Sequence, residues 1–136
     1  MRIYLDANIV IYLVEGHPEF FGPVRRLFNT ATEQDWTFVL SDLCRCECLI
    51  GAARSKNPKL LALYEAFFEE AETLMESVAL HSAALESVPD LAAQCGLKLV
   101  DAMHLSLALQ AGCDGFATND RGFEAADALI DLVELD

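Results

Sequence analysis

Residues 3–12 read IYLDANIVIY, eight apolar residues enclosing Asp6 and Asn8. A run this apolar heads into a core. A carboxylate carried there is costly unless it is paired, hydrogen-bonded or bound to a metal. Residues 2–6 read as a short strand that ends on Asp6. The fold turns on residues 8–16. Ile9-Val10-Ile11 is β-branched and suits a strand, whereas Asn8 as an N-cap and Gly16 as a stop suit a short helix.

Beyond this stretch, strand-like and helix-like segments alternate. PEFFGPVRRLFNTATEQ reads as helical after Pro23, WTFVL (36–40) as a second strand, and Ser41 as the cap of a helix running to about Ala53. Pro58 opens KLLALYEAFFEEA at helical spacing. TLMESVAL alternates imperfectly, as a third strand would. Residues 82–95 are helical with a restart at Pro89 and a stop at Gly96. LVDAMHLSLALQAG is a helix closed by Gly112, GFAT (115–118) a fourth strand, NDRGFEAAD a turn or short helix, and LIDLVEL a fifth strand. This alternation predicts one α/β domain over residues 1–136, with a mostly parallel sheet of about five strands flanked by helices. In such sheets ligands sit beyond the carboxyl ends of the strands. That places Asp6, and Asp120 just after GFAT, where chemistry collects.

The totals narrow the function. The 136 residues are 54% hydrophobic with four prolines, which suits a single ordered core. Five cysteines, an odd number, fit reduced thiols in a cytoplasmic protein rather than a disulfide scaffold. No apolar run reaches the ~18 residues a membrane span needs, and no signal peptide is evident. A net charge of −13 argues against passive nucleic-acid binding. It leaves room for an enzyme that meets phosphodiesters through bound cations, which reverse the local field.

Four acids then stand out. Asp6 and Asp120 each read singly as turn or cap residues. Glu47 shares its side of a helix, at about 100° per residue, with Leu43, Cys44, Ile50, Gly51 and Arg54. That stripe is largely apolar, with Arg54 as its ordinary ion-pair partner. Asp101 opens the LVDAMHLSLALQAG helix, where the dipole favours an acid, and it leads a face of His104, Leu105, Ala108 and Gly112. Together they place four carboxylates at starts or inner faces of elements, with no cluster of bases to neutralise them. Such a set repels itself unless a cation holds it. Oxygen ligands favour Mg²⁺ or Mn²⁺, and a cation of this kind activates water for phosphodiester hydrolysis with no side chain as nucleophile.

The series IYLDANIVIY, SDLCRCECLIGAA, LVDAMHLSLALQAG and GFATNDRGF resembles the PIN-domain family, most closely the VapC-type toxins of toxin–antitoxin pairs. The resemblance covers essentially the whole chain in order. It implies a metal-dependent endoribonuclease with Asp6, Glu47, Asp101 and Asp120 as catalytic and Mg²⁺- or Mn²⁺-binding acids. Asn8 takes a place behind these acids or against the substrate, and Thr118 and Asn119 orient Asp120. It also implies RNA as substrate, 5′-phosphate and 3′-hydroxyl ends, a homodimer, and a small VapB-like antitoxin that covers the acidic pocket. A further acid found after the T-x-D turn in other PIN nucleases has only Glu124 and Asp127 as candidates here.

Other features receive plainer readings. In the C-x-C-x-C run, Cys46 lies about 160–200° from Cys44 and Cys48 on a helix. The three cannot share one metal and read as small core residues. His104 reads as a satisfied interior histidine that could hydrogen-bond Asp101. Phe20-Phe21 and Phe67-Phe68 read as core or dimer contacts rather than RNA platforms, and Arg25 and Arg26 as a solvated helix face with RNA contact as the minority reading. Two competing functions remain: a non-catalytic PIN-like protein-binding module, which would usually have lost some of the acids, and a haloacid-dehalogenase-like phosphotransferase, for which Asn8 is a poor general acid.

Overall fold

Strand gives way to helix within the opening stretch: Arg2–Leu5 form β1 and Ala7–Glu15 form α1. The computed structural model describes residues 1–136. The cap of α1 is Asp6 rather than the expected Asn8. Asp6 is extended (φ −69°, ψ 155°) and accepts the Ala7 N–H, while Gly16 closes the helix in the left-handed region at φ 65°. One carboxylate thus ends the strand and starts the helix, because the turn between them is a single residue.

The remaining elements run in order as α2 (Phe21–Glu33), β2 (Thr37–Ser41), α3 (Asp42–Ser55), α4 (Pro58–Leu74), β3 (Glu76–Val78), α5 (Ser82–Glu86), α6 (Val88–Cys95) and α7 (Leu99–Gln110). β4 (Gly115–Ala117), a 3₁₀ helix (Arg121–Ala128) and β5 (Asp131–Val133) complete the chain. The sheet is parallel throughout, in the order β3-β2-β1-β4-β5. β1 lies at its centre and is buried on both faces, as parallel strands between helical layers are.

Period-two alternation of β1 divides the core. Ile3 and Leu5 join Phe38, Leu40 and Ala117 under α1, α2, α3 and α4, where Ile9, Val24, Cys48 and Phe68 pack. Tyr4 faces the other way with Val39 and Phe116, under Ala84, Leu91, Leu105 and Phe123 of the second helical layer. Chain order moves outward from β1 to β3, then returns across the sheet to β4. The order therefore reverses between β1 and β4, the crevice where open α/β sheets place their ligands. No helix is long and apolar enough to cross a membrane.

Two side-chain expectations change. Cys44 and Cys48 are core residues, but Cys46 is exposed, on the far side of α3 from them. The stripe through Glu47 is interior only at Cys44. Ile50 is 45% exposed, Gly51 and Arg54 are exposed too, and the face that α3 buries runs through Cys44, Cys48 and Ala52. Of the aromatic pairs, Phe68 is core and Phe67 packs against it. Phe20 stacks on Tyr12 at 4.8 Å. Arg25 and Arg26 are exposed, Arg25 over the Phe21 ring and Arg26 bonded to the Asp136 carbonyl.

Candidate active site

Asp6 leaves the carboxyl end of β1 buried, at 6% exposure. Its main-chain N–H donates to the Ala117 carbonyl of β4 at 3.0 Å, which ties it to the neighbouring strand. Both oxygens of its carboxylate accept hydrogen bonds. Oδ1 accepts the Ala7 N–H at 2.8 Å. Oδ2 accepts the Thr118 hydroxyl at 2.7 Å and the Asn8 amide at 3.4 Å. Burial raises the Asp6 carboxyl from its ordinary value, although His104, the Thr118 hydroxyl and the Ala7 N–H pull it down.

Thr118 contacts Asp120, the residue it is expected to orient, and reaches Asp6 as well. Its hydroxyl oxygen receives the Asp120 N–H at 3.0 Å while its proton goes to Asp6. Asn8 joins the same network, donating to Thr118 Oγ1 at 3.3 Å and accepting the Asn119 N–H at 3.3 Å. The Asn119 side chain reaches Tyr12 rather than Asp120, with its amide donating to the phenolic oxygen at 3.3 Å. Asp120 caps the 3₁₀ helix, its Oδ1 accepting the Gly122 N–H at 2.8 Å.

Glu47 comes from α3, which begins where β2 ends, and its partner is not Arg54. Glu47 Oε1 and His104 Nε2 are hydrogen-bonded, and the same Nε2 lies 3.8 Å from Asp6 Oδ1. His104 is wholly buried and, as expected, satisfied, but by Tyr4 and Glu47 rather than Asp101. One turn earlier on α7, Asp101 is half-buried. Its carboxyl is raised first by burial and then by the charges of Asp6 and Asp120, with Glu47 adding to the same effect. All four acids therefore act on one electrostatic environment.

Within it, carboxylate oxygens of Asp6 and Glu47 and His104 Nε2 lie within 4.8 Å of one another. Asp101 and Asp120 stand outside that tight group. Glu124 lines a cleft of about 280 Å³ together with Asp120, Arg121 and Glu134. Asp127 does not. The donor set suits a hard divalent cation: the carboxylates of Asp6 and Glu47 lie in mutual reach and partly withdrawn from water, and the raised proton affinity of Asp6 is one that such an ion would relieve. Sequence reading finds Ser41 as the cap of α3 but misses its bond to Tyr4, Tyr4 itself and the Glu47–His104 contact. A tyrosine in a strand buried on both faces is the available signal, since its hydroxyl requires a partner.

A sequence model of the PIN domain matches residues 3–129. Comparison with curated protein sequences gives no match. Among solved structures, VapBC2 from Rickettsia felis bound to a promoter DNA fragment is similar with a TM-score of 0.76 at 18% identity, over 100% of both chains. DNA-bound VapBC from Salmonella typhimurium gives 0.72 at 21% identity, over 98% of each chain. VapC20 from Mycobacterium tuberculosis, a toxin that cleaves the sarcin–ricin loop, gives 0.70 at 16% identity, over 91% of this chain and 94% of that one. At these identities the likeness is one of fold.

Proposed function

The chain belongs to the PIN-domain family, and from that premise we propose that it is a metal-dependent endoribonuclease, the toxin of a type II toxin–antitoxin pair. The observation that carries the reading is the convergence of Asp6 and Glu47 beside His104, with Asp101 in the same field, at the β1–β4 crevice. Asp6, Glu47, Asp101 and Asp120 are the residues that would hold Mg²⁺ or Mn²⁺. When bound, such an ion supplies an activated water for attack on phosphorus and offsets the charge that builds on the phosphate.

The chain's own residues do the rest. Ala7 N–H, the Thr118 hydroxyl and the Asn8 amide hold the Asp6 carboxylate in one orientation. Asn8 and Thr118 also fix the main chain at Asn119 and Asp120, so the β4 side of the site is set by the same network. A protein of net charge −13 repels RNA at long range. Productive approach then depends on the cation at the site. In this reading the protein is cytoplasmic and homodimeric, and a VapB-like antitoxin covers the acidic pocket.

The test incubates antitoxin-free protein with total RNA and Mg²⁺ or Mn²⁺, and maps the new ends. Endonucleolytic cuts with 5′-phosphates are expected, with both Asp6→Asn and Asp101→Asn inactive. Cleavage that persists in both variants would place the activity elsewhere. A small reading frame directly upstream would support the antitoxin.

A further inference from the structure

A buried polar chain runs through the sheet behind the carboxylates and ends on Glu47. Ser41 is the last residue of β2 and the N-cap of α3, and its Oγ accepts the Cys44 N–H at 3.1 Å. The Ser41 hydroxyl lies 2.6 Å from the Tyr4 hydroxyl. Tyr4 lies 2.7 Å from His104 Nδ1, and His104 Nε2 meets Glu47. Ser41, Tyr4 and His104 are all buried, and no buried side-chain nitrogen or oxygen lacks a partner.

Counting donors and acceptors gives this chain a direction. The Ser41 oxygen already receives a backbone N–H, so its own proton needs an acceptor, and the Tyr4 oxygen is the one within reach. Tyr4 then donates its proton onward to His104 Nδ1. A ring nitrogen that accepts carries no proton, which leaves the proton on Nε2, facing Glu47 with Asp6 3.8 Å away. With the opposite polarity the Ser41 proton has no acceptor, a costly arrangement in a buried network.

We infer that His104 is a positioning residue of the metal site proposed above, and not one of its ligands. Its role rests on that reading. It holds an N–H donor on Glu47, the one acid of the four that projects from α3, and Tyr4 and Ser41 hold the ring in the tautomer that makes the donor. The same Ser41 oxygen caps α3, so the helix that carries Glu47 and the histidine that orients it share one anchor. Ring placement is secured further by Tyr4, which meets His104 edge-on at 5.8 Å and stacks on Phe116 at 5.3 Å.

Two-bond ¹H–¹⁵N spectra of the histidine rings, recorded without and with Mg²⁺, read the tautomer directly. The expected spectrum has an unprotonated Nδ1 and a protonated Nε2 for His104 in both conditions. Tyr4→Phe keeps the aromatic packing, removes the hydroxyl, and should replace that single tautomer by a mixture. Mn²⁺ affinity supplies the second measurement: His104→Leu should lower it about 10- to 100-fold, the usual effect of removing such a supporting contact. His104→Gln retains an N–H donor and should recover most of the loss. An unprotonated Nε2 in the wild type, or Gln no better than Leu, overturns the positioning role alone. A wild-type protein that binds no Mn²⁺ overturns the metal site on which the role rests.

Discussion

Asp6 carries a burial cost that its neighbours offset only in part. Burial first, against the pull of His104 and the hydrogen bonds from Thr118 and Ala7, leaves its carboxyl raised. Asp101 is raised too, by burial and then by the charges of Asp6 and Asp120. An acid raised in the folded state holds more protons there than in the unfolded chain. Stability therefore falls as pH climbs from the ordinary carboxylate range, about 4, through the raised values. A cation at the site competes with those protons. Metal-free protein should melt at lower temperature at pH 8 than at pH 5, and Mn²⁺ should raise the melting temperature more at pH 8. Asp6→Asn should keep the metal-free melting temperature at pH 8 and lose the Mn²⁺ shift. A Mn²⁺ shift as large at pH 5, or undiminished in the variant, would contradict this. Asp6, Glu47 and Asp101 stand out in the sequence because each interrupts an apolar stretch or face, whereas Asp120 stands out only by its place just after β4. The Glu47–His104 contact is not, because 57 positions separate its members. Reading within one helix offers Arg54 and Asp101 as partners, whereas the actual contact joins α3 to α7.

Elements deliver the acids, and two joints matter most. Ser41→Ala removes the cap of α3 and the end of the Tyr4 chain together, so a loss of about 1–2 kcal/mol is expected in urea denaturation. A change under about 0.3 kcal/mol would show that the cap contributes little. Gly115 opens β4 where a side chain has little room. A Cβ there would meet Ile3 Cδ1 at 2.7 Å and Val133 Cγ2 at 3.1 Å. Gly115→Ala should cost about 1–3 kcal/mol by the same measurement, the range for overpacking, and a neutral result would mean that Ile3 moves aside freely. Most elements can be read because their ends carry explicit signals: Gly16, Ser41, Pro58 and Gly96. β3 is faint since it is an edge strand with Glu76 and Ser77 exposed, so no buried face imposes clean alternation. The cap of α1 lies two residues before Asn8 because Asp6 serves strand and helix at once.

At the scale of the whole molecule, alternation of strands and helices announces a parallel sheet, but the order β3-β2-β1-β4-β5 cannot be read from local pattern. Strand neighbours are chosen by packing between distant segments. That order matters, since it sets the reversal beside β1 and brings Asp6 next to the turn that holds Asp120. The net charge of −13 fits the same picture, in which the protein meets RNA through a cation rather than through a basic face. Position and chemistry together support the function proposed above, phosphodiester hydrolysis by metal-activated water, in which His104 would support Glu47. The direct measurement is the chemistry of the ends cut from a defined single-stranded RNA, with Mn²⁺ and with chelator. No cleavage is expected in chelator, and 5′-phosphate and 3′-hydroxyl ends are expected with Mn²⁺. Cleavage that continues in chelator and leaves 2′,3′-cyclic phosphates would contradict this chemistry, because that product arises when the RNA's own 2′-hydroxyl, rather than a metal-activated water, attacks phosphorus.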